Sequence, residues 1–346
     1  LNLFKKFMEE NLYNLLNKQY KKKPNHNYLE SIDGRKFTLT NVFNFVQKFN
    51  FFLNKKKIKK QEKVFVIFEN SALLTLLFFG TVCSQRIFVP INPSSGNEEI
   101  DYICRKVNPK IIISDEEYLS KIPKRFKDKT ISVVDQNDFI DNIFINKSEK
   151  IKQTKGGNIA EILFSSGSTG NPKAIVLTNK NIIHNLNGIN KKIKFQKNKN
   201  FLAVTPVYHN NGQFISTLIP LLTFGKTIPS NSLTSIANFW SLVEDKKIHY
   251  SSVMVTHINY LFYNKIKSKH NLKALFCGGA KLDLDIQKKF SEYFNVKILT
   301  NYGLTEVSSI ATTETFENYN TGSAGSPLFN NEIYIKKKKM KNMVKY

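Results

Sequence analysis

Lys63-Val64-Phe65-Val66-Ile67-Phe68, then Ala72-Leu73-Leu74-Thr75-Leu76-Leu77-Phe78-Phe79-Gly80-Thr81-Val82, then Ile87-Phe88-Val89-Pro90-Ile91-Asn92-Pro93 form the stretch that decides the fold class. The outer two runs are short and apolar throughout, as strands are when a parallel sheet is covered on both faces. The middle run is too short to span a bilayer and follows Glu69 and Asn70, so it reads as a buried helix starting at Ser71. Pro90 and Pro93 are expected to end the third run, because proline removes ladder donors. A helix over 98–107 and a strand over 111–113 continue the alternation. Strand, helix, strand, helix in this order argues for an α/β fold with mostly parallel sheets flanked by helices.

Outward from this stretch the reading is coarser. Residues 1–60 read as helical and polar, with Phe43, Val46, Phe49 and Leu53 at helical spacing. Further strands are expected over 161–164, 174–177, 201–205, 250–255, 274–276 and 296–299. A helix opened by Thr178 or Asn179 follows the second of these, and an amphipathic helix covers 283–294. A polar stretch over 146–158 separates the two halves. No internal repeat and no flexible linker is evident.

The chain has 346 residues and a formal net charge of +25, from 52 Lys and Arg against 27 Asp and Glu. A charge of that size invites a nucleic-acid reading. The excess is nearly all lysine, however, and it travels with Asn, Ile, Phe and Tyr, which share AT-rich codons. The lysines are dispersed in small clusters such as Lys55-Lys56-Lys57, and no zinc finger or basic-zipper pattern accompanies them. The expectation is therefore no nucleic-acid partner. Cys83, Cys104 and Cys277 are odd in number and scattered. They read as buried small hydrophobes in a reducing cytoplasm. The amino-terminal residues carry no signal-peptide pattern, and no run is long enough for a transmembrane segment.

Chemistry enters with Ser165-Ser166-Gly167-Ser168-Thr169-Gly170-Asn171-Pro172-Lys173. A phosphate-binding loop needs glycines for close backbone approach, hydroxyls as extra donors, and a cation within reach. This segment has Gly167 and Gly170, hydroxyls on Ser165, Ser166, Ser168 and Thr169, and Lys173. Its spacing is neither that of a Walker A loop nor that of a dinucleotide fingerprint. Strands on either side make it the tip of a hairpin-like turn. A serine- and glycine-rich surface loop would have the same composition, so the segment alone leaves both readings open.

Three further segments decide between them. The loop resembles the signature of the adenylate-forming (AMP-binding) superfamily, which includes acyl-CoA synthetases, luciferases and peptide-synthetase adenylation domains. Pro206-Val207-Tyr208-His209-Asn210-Asn211-Gly212-Gln213 resembles that family's proline–aromatic–histidine–glycine segment at the acyl pocket. Cys277-Gly278-Gly279-Ala280-Lys281-Leu282 resembles its small-residue turn beside adenine, and Asn301-Tyr302-Gly303-Leu304-Thr305-Glu306 its Tyr-Gly-x-Thr-Glu motif. Val89-Pro90-Ile91-Asn92-Pro93 and Gly322-Ser323-Ala324-Gly325-Ser326-Pro327 also fit. The resemblance covers nearly the whole chain.

It implies ATP-dependent activation of a carboxylic acid to an acyl-adenylate, followed by transfer to coenzyme A. Ser165, Ser166, Gly167, Ser168, Thr169, Gly170 and Lys173 would hold the ATP phosphates. Gly278, Gly279, Ala280, Asn301, Tyr302 and Gly303 would hold adenine, with Tyr302 offering a π face and the small residues admitting close approach. Thr305, Glu306 and His209 would be catalytic: Thr305 toward the α-phosphate, Glu306 as the Mg²⁺ ligand, and His209 near the substrate carboxylate. Ala174 and Lys281 depart from the family pattern without removing a ligand. Residues 1–335 are expected to form the large domain, incomplete at its end, and 336–346 a basic tail; the family's small carboxy-terminal domain has no counterpart. A frameshift in the lysine run would explain the tail, because one alternative frame reads Asn-Glu-Lys-Tyr-Gly-Glu-Ile. Two other readings stand beside the acyl-CoA synthetase: a non-catalytic nucleotide-binding remnant, and an amino-acid adenylation domain.

Overall fold

The computed structural model describes residues 11–151, 156–165, 171–266 and 268–334. Two sheets carry the fold. The smaller has strand order β6-β5-β3-β4-β7-β8, built from β3 (Lys63–Ile67), β4 (Ile87–Ile91), β5 (Ile111–Asp115), β6 (Thr130–Val133), β7 (Ile159–Ser165) and β8 (Lys173–Thr178). All its pairings are parallel except β7 with β8. The larger sheet has order β15-β14-β13-β12-β11-β9-β10-β1-β2. Its parallel centre is β9 (Asn200–Ala203), β10 (Lys226–Pro229), β11 (Tyr250–Met254), β12 (Ala274–Gly278) and β13 (Lys297–Tyr302), with β1 (Asn27–Glu30) pairing parallel to β10. Antiparallel strands β2 (Lys36–Thr38), β14 (Thr312–Thr313) and β15 (Ser326–Pro327) finish its two edges.

The Ala72–Cys83 helix explains why the sheets sit as they do. Ser71 caps it by accepting from Leu74 N, and all twelve of its residues are buried. It touches β3 and β4 of one sheet and β10 of the other, so it forms part of the layer that both share. It packs on the Leu39–Lys55 helix, whose periodic residues Phe43, Val46, Phe49 and Leu53 are buried in the same core and whose Phe45 and Phe49 face Gly80. Gly80 is required by that packing, since a Cβ there would lie 2.6 Å from the Phe49 ring.

Two expectations need correction. Residues 1–60 are not helical throughout: β1 and β2 form a hairpin between the Leu12–Lys22 and Leu39–Lys55 helices. Each strand is short, and β1 is held by its parallel pairing to β10, some 200 residues away, so local periodicity carries no trace of it. Glu30 at its end accepts from Lys226 at 2.5 Å and Lys246 at 2.8 Å. Pro90 does not end its strand either, because it stands within β4 opposite Val66, and the strand stops at Ile91. The three cysteines are buried, and burial pushes their thiols up, to about 12 at Cys104 and Cys277.

Arg86, immediately before β4, is only 2% exposed. Its guanidinium donates to Asn50 Oδ1 at 2.6 Å, to the Ser84 carbonyl at 2.7 Å, to the Ile58 carbonyl at 2.7 Å, and to Asn54. Only a planar fork meets so many acceptors at once. Replacement by methionine would leave the acceptors at the buried Asn50, Ile58 and Ser84 unmet, at about 1–3 kcal/mol for each group. R86M should therefore unfold at clearly lower urea concentration with an unchanged m-value; an unchanged midpoint would contradict this account.

Candidate active site

In open α/β sheets the crevice outside the carboxyl ends of the parallel strands is where loops converge. Here β9 leads through Thr205 into the His209 segment, β11 into His257, β12 into Gly278-Gly279-Ala280, and β13 into Tyr302 and the Thr305–Val307 turn. These strands are adjacent and parallel in the order β13-β12-β11-β9, so their exits share one edge.

The Tyr302 segment is built by a close backbone approach. β13 ends at Tyr302, whose carbonyl accepts from Ala311 N at 2.8 Å, and the chain returns as β14. Between them Gly303 passes so near Ser309 that a Cβ would lie 1.6 Å from its carbonyl oxygen. Asn185, from the Asn179–Ile193 helix, locks the return, donating to the Ile310 carbonyl at 2.8 Å and to the Val307 carbonyl at 3.3 Å. Tyr302 is thereby left half exposed, and Glu306 exposed. Glu306 makes no ion pair among the described residues.

Beside this segment lies a cavity of about 390 Å³ lined by Gly279, Ala280, Gln287, Asn301, Tyr302 and Ser323, among others. Gly279 has φ +87°, a left-handed conformation that favours glycine. Gly278 abuts Asn301, whose Nδ2 is buried without a hydrogen-bond partner. An unmet donor on a cavity wall suits a ligand with an acceptor in a flat ring. The expected adenine residues Gly278, Gly279, Ala280, Asn301, Tyr302 and Gly303 thus fall in one place.

The smaller sheet supplies the other wall. β7 and β8 form the expected hairpin, with Ser165 opposite Lys173, and β8 lies against the Thr305–Val307 turn. Lys173 and Ser165 therefore stand at the root of the loop, on the hairpin whose β8 strand touches the Thr305–Val307 turn. Ser166, Gly167, Ser168, Thr169 and Gly170 lie outside the described residues, as does the tail 336–346.

His209 sits in a tight turn after β9, its N–H bonded to the Pro206 carbonyl at 2.9 Å. Solvent reaches its imidazole, yet protein atoms crowd it on most sides, as at the floor of a cleft; that crowding holds it below its ordinary range. His257 is a functional candidate that no motif marks. Its Nδ1 accepts from Met254 N at 3.2 Å, and burial, with His209 nearby, pulls it down to about 4. Both rings are consequently neutral at neutral pH. Asn210 Nδ2 and Asn211 Oδ1 are buried and unpaired, so the same segment offers a donor and an acceptor to a polar ligand. Gln287 was legible only as part of an amphipathic helix; it fixes the cavity wall by donating to the Ile298 carbonyl at 3.0 Å and accepting from Gly322 N at 3.0 Å.

The two sheets, the small-residue turn and the Tyr302 segment together define an α/β domain with a crevice at the carboxyl ends of its parallel strands. The chain belongs to the AMP-binding enzyme family, which it matches over residues 16–345. It is 27% identical over 311 residues to the peroxisomal OPC-8:0-CoA ligase 1 of Arabidopsis thaliana, an alignment covering 84% of this chain and 56% of that ligase. The chain thus spans little more than half of that relative's length. Its fold is similar to that of the anthranilate CoA ligase AuaEII in complex with anthranoyl-AMP, with TM-score 0.84 and 20% identity over 93% of this chain and 64% of that one. It also resembles the inhibitor-bound N-terminal domain of FACL13 from Mycobacterium tuberculosis, with TM-score 0.83 and 17% identity over 92% of this chain and 83% of that one.

Because a Cβ at Gly303 has nowhere to go but into backbone, Gly303→Ala must displace either the end of β13 at Tyr302 or the returning segment at Ser309. Overpacking of this kind costs typically about 1–3 kcal/mol. Calorimetric titration with ATP should show binding weakened at least about tenfold while circular dichroism stays native; unchanged affinity would show that the turn does not shape the cavity.

Proposed function

We propose that the chain activates a carboxylic acid with ATP, forming an acyl-adenylate and pyrophosphate, and that a thiol, that of coenzyme A, then receives the acyl group. The observation that carries this reading is the contact of β8, the strand that Lys173 opens, with the Thr305–Val307 turn beside the 390 Å³ cavity. Adenine in that cavity, against Tyr302, would bring the phosphates toward Thr305 and Lys173. The loop residues Ser165, Ser166, Gly167, Ser168, Thr169 and Gly170 would add backbone and hydroxyl donors along the phosphate chain.

Attack of the carboxylate on the α-phosphorus spreads negative charge over the phosphate oxygens, and positioned cations and donors lower that barrier. Thr305 would donate to the α-phosphate and Lys173 would follow the charge leaving on pyrophosphate. His209, neutral at neutral pH, would present an uncharged ring to the acid and so leave its carboxylate nucleophilic. Asn210 and Asn211 would meet its polar atoms. No cluster of three His, Cys, Asp or Glu suited to a metal occurs among the described residues. That suits Mg²⁺, which is commonly held by one or two carboxylates together with substrate phosphates. Glu306, exposed and without an ion pair, is the residue that would hold it, and the ion would neutralise phosphate charge.

ATP–pyrophosphate exchange against a panel of carboxylic acids tests the reading. One acid should support exchange, and Glu306→Gln should slow it about 10²–10³-fold, the usual effect of losing one charge-stabilising group. Exchange confined to amino acids would shift the substrate class to amino-acid adenylation. ATP binding with no exchange for any acid would leave a nucleotide-binding domain without this chemistry.

A further inference from the structure

Glu161 is a carboxyl group in the dry centre of the molecule, four residues ahead of Ser165 on β7. It is fully buried, flanked on the sheet by Phe88 of β4 and Leu177 of β8. Ile162 and Phe164 face the cluster on the Asn97–Val107 side, and Glu161, on the other face, meets Gln213. Gln213 is equally buried, in the π-helical turn Gly212–Leu218 of the neighbouring layer, and its N–H is bonded to the His209 carbonyl at 3.0 Å. Its Nε2 donates to Glu161 Oε2 at 2.6 Å.

Two atoms of this pair remain unmatched. Glu161 Oε1 and Gln213 Oε1 are both buried acceptors without a partner. An ionised carboxylate offers four lone-pair directions and no donor, so a charged Glu161 would leave its own Oε1 and Gln213 Oε1 orphaned, and no cation among the described residues pairs with it. The ionisable groups on the surrounding elements are engaged or distant: Arg86 ahead of β4 is bound to Asn50, Asn54, Ser84 and Ile58, Lys173 stands at the far end of β8, and His209 is one turn before Gln213. The Ala72–Cys83 helix carries no charged residue.

A proton on Glu161 Oε1 removes both defects at once. We propose that Glu161 is a neutral carboxylic acid in a reciprocal acid–amide pair with Gln213, its O–H donating to Gln213 Oε1 while Nε2 donates back to Oε2, and that this pair positions the His209 segment against the strand that carries the glycine loop. Glu161 and Gln213 are positioning residues here: they act through the Gln213–His209 backbone bond at one end and through β7 at the other. The role rests on the reading of the two segments as parts of one active site. Burial independently pushes the Glu161 carboxyl up to about 7, the Gln213 bond opposing it.

The sign of the pH effect follows. A carboxyl whose folded pKa is raised stabilises the fold fully below about 4.5, and that stability is lost as pH rises to about 7. Ionisation breaks one of the two bonds and leaves two acceptors facing each other.

The test is a carbon-13 titration of glutamate-labelled protein, with Glu161 assigned by its absence in E161Q. The Glu161 carboxyl should stay protonated at pH 6 and ionise near 7, and the His209 ring signals should shift with the same midpoint. In E161Q, where an amide–amide pair keeps both bonds, the His209 signals should not follow that midpoint. E161L should displace them at every pH, which E161Q should not. A Glu161 carboxyl already ionised at pH 5, or His209 signals indifferent to its titration, would overturn the proposal. Neither readout requires turnover, so a chain that titrates as described yet gives no pyrophosphate exchange would refute the proposed activity and leave the pair standing.

Discussion

The Ala72–Cys83 helix is apolar on every side, and water leaves it only if protein closes around it. That constraint organises the rest. β3 and β4 meet it from one sheet and β10 from the other, and the Leu39–Lys55 helix fills a flank with Phe45 and Phe49. Two sheets that must share one buried layer have their loop-bearing ends held in a fixed relation. The Lys173 strand then lies against the Thr305–Val307 turn, although the two are more than 130 residues apart.

Where the polypeptide needs chemistry it gives up side chain or packing. Gly303 loses its Cβ so that β13 can fold back on β14, and the exposed Tyr302 and Glu306 and the partly exposed Thr305 are the consequence. Asn301 Nδ2, Asn210 Nδ2 and Asn211 Oδ1 stay buried and unmatched around the same crevice. Other buried polar groups are well matched: Arg86 has four partners, and buried Glu314 accepts from Thr300 N, Thr300 Oγ1 and Asn320 N. Unmet donors and acceptors along a crevice are groups that a polar ligand would satisfy.

Much of this was legible in the sequence because it is local. β3, β4 and β5 are short continuous apolar runs, and the Gly-Gly-Ala and Tyr-Gly-x-Thr-Glu segments gather their chemistry within six residues. β7, β8, β9, β11, β12 and β13 lie within a few residues of the strands read from the sequence, and Thr178 caps its helix, accepting from Asn181 N. The β1–β2 hairpin, β6, β10, β14 and β15 were missed, since a strand of two to four residues draws its stability from pairing rather than from pattern. His257 carries no motif and becomes a candidate only because β11 delivers it beside His209. Glu161 stood inside a correctly read strand; its meaning came from Gln213, 52 residues later, which no spacing rule connects.

The central claim is that this crevice joins a carboxylate to the α-phosphorus of ATP. Labelling the carboxylate oxygens of an accepted acid with oxygen-18, and trapping the acyl product with hydroxylamine in place of a thiol, tests it directly. Attack at the α-phosphorus leaves one labelled oxygen in AMP when the acyl group departs, with pyrophosphate as the other product. Formation of ADP and phosphate, or AMP free of label, would contradict it.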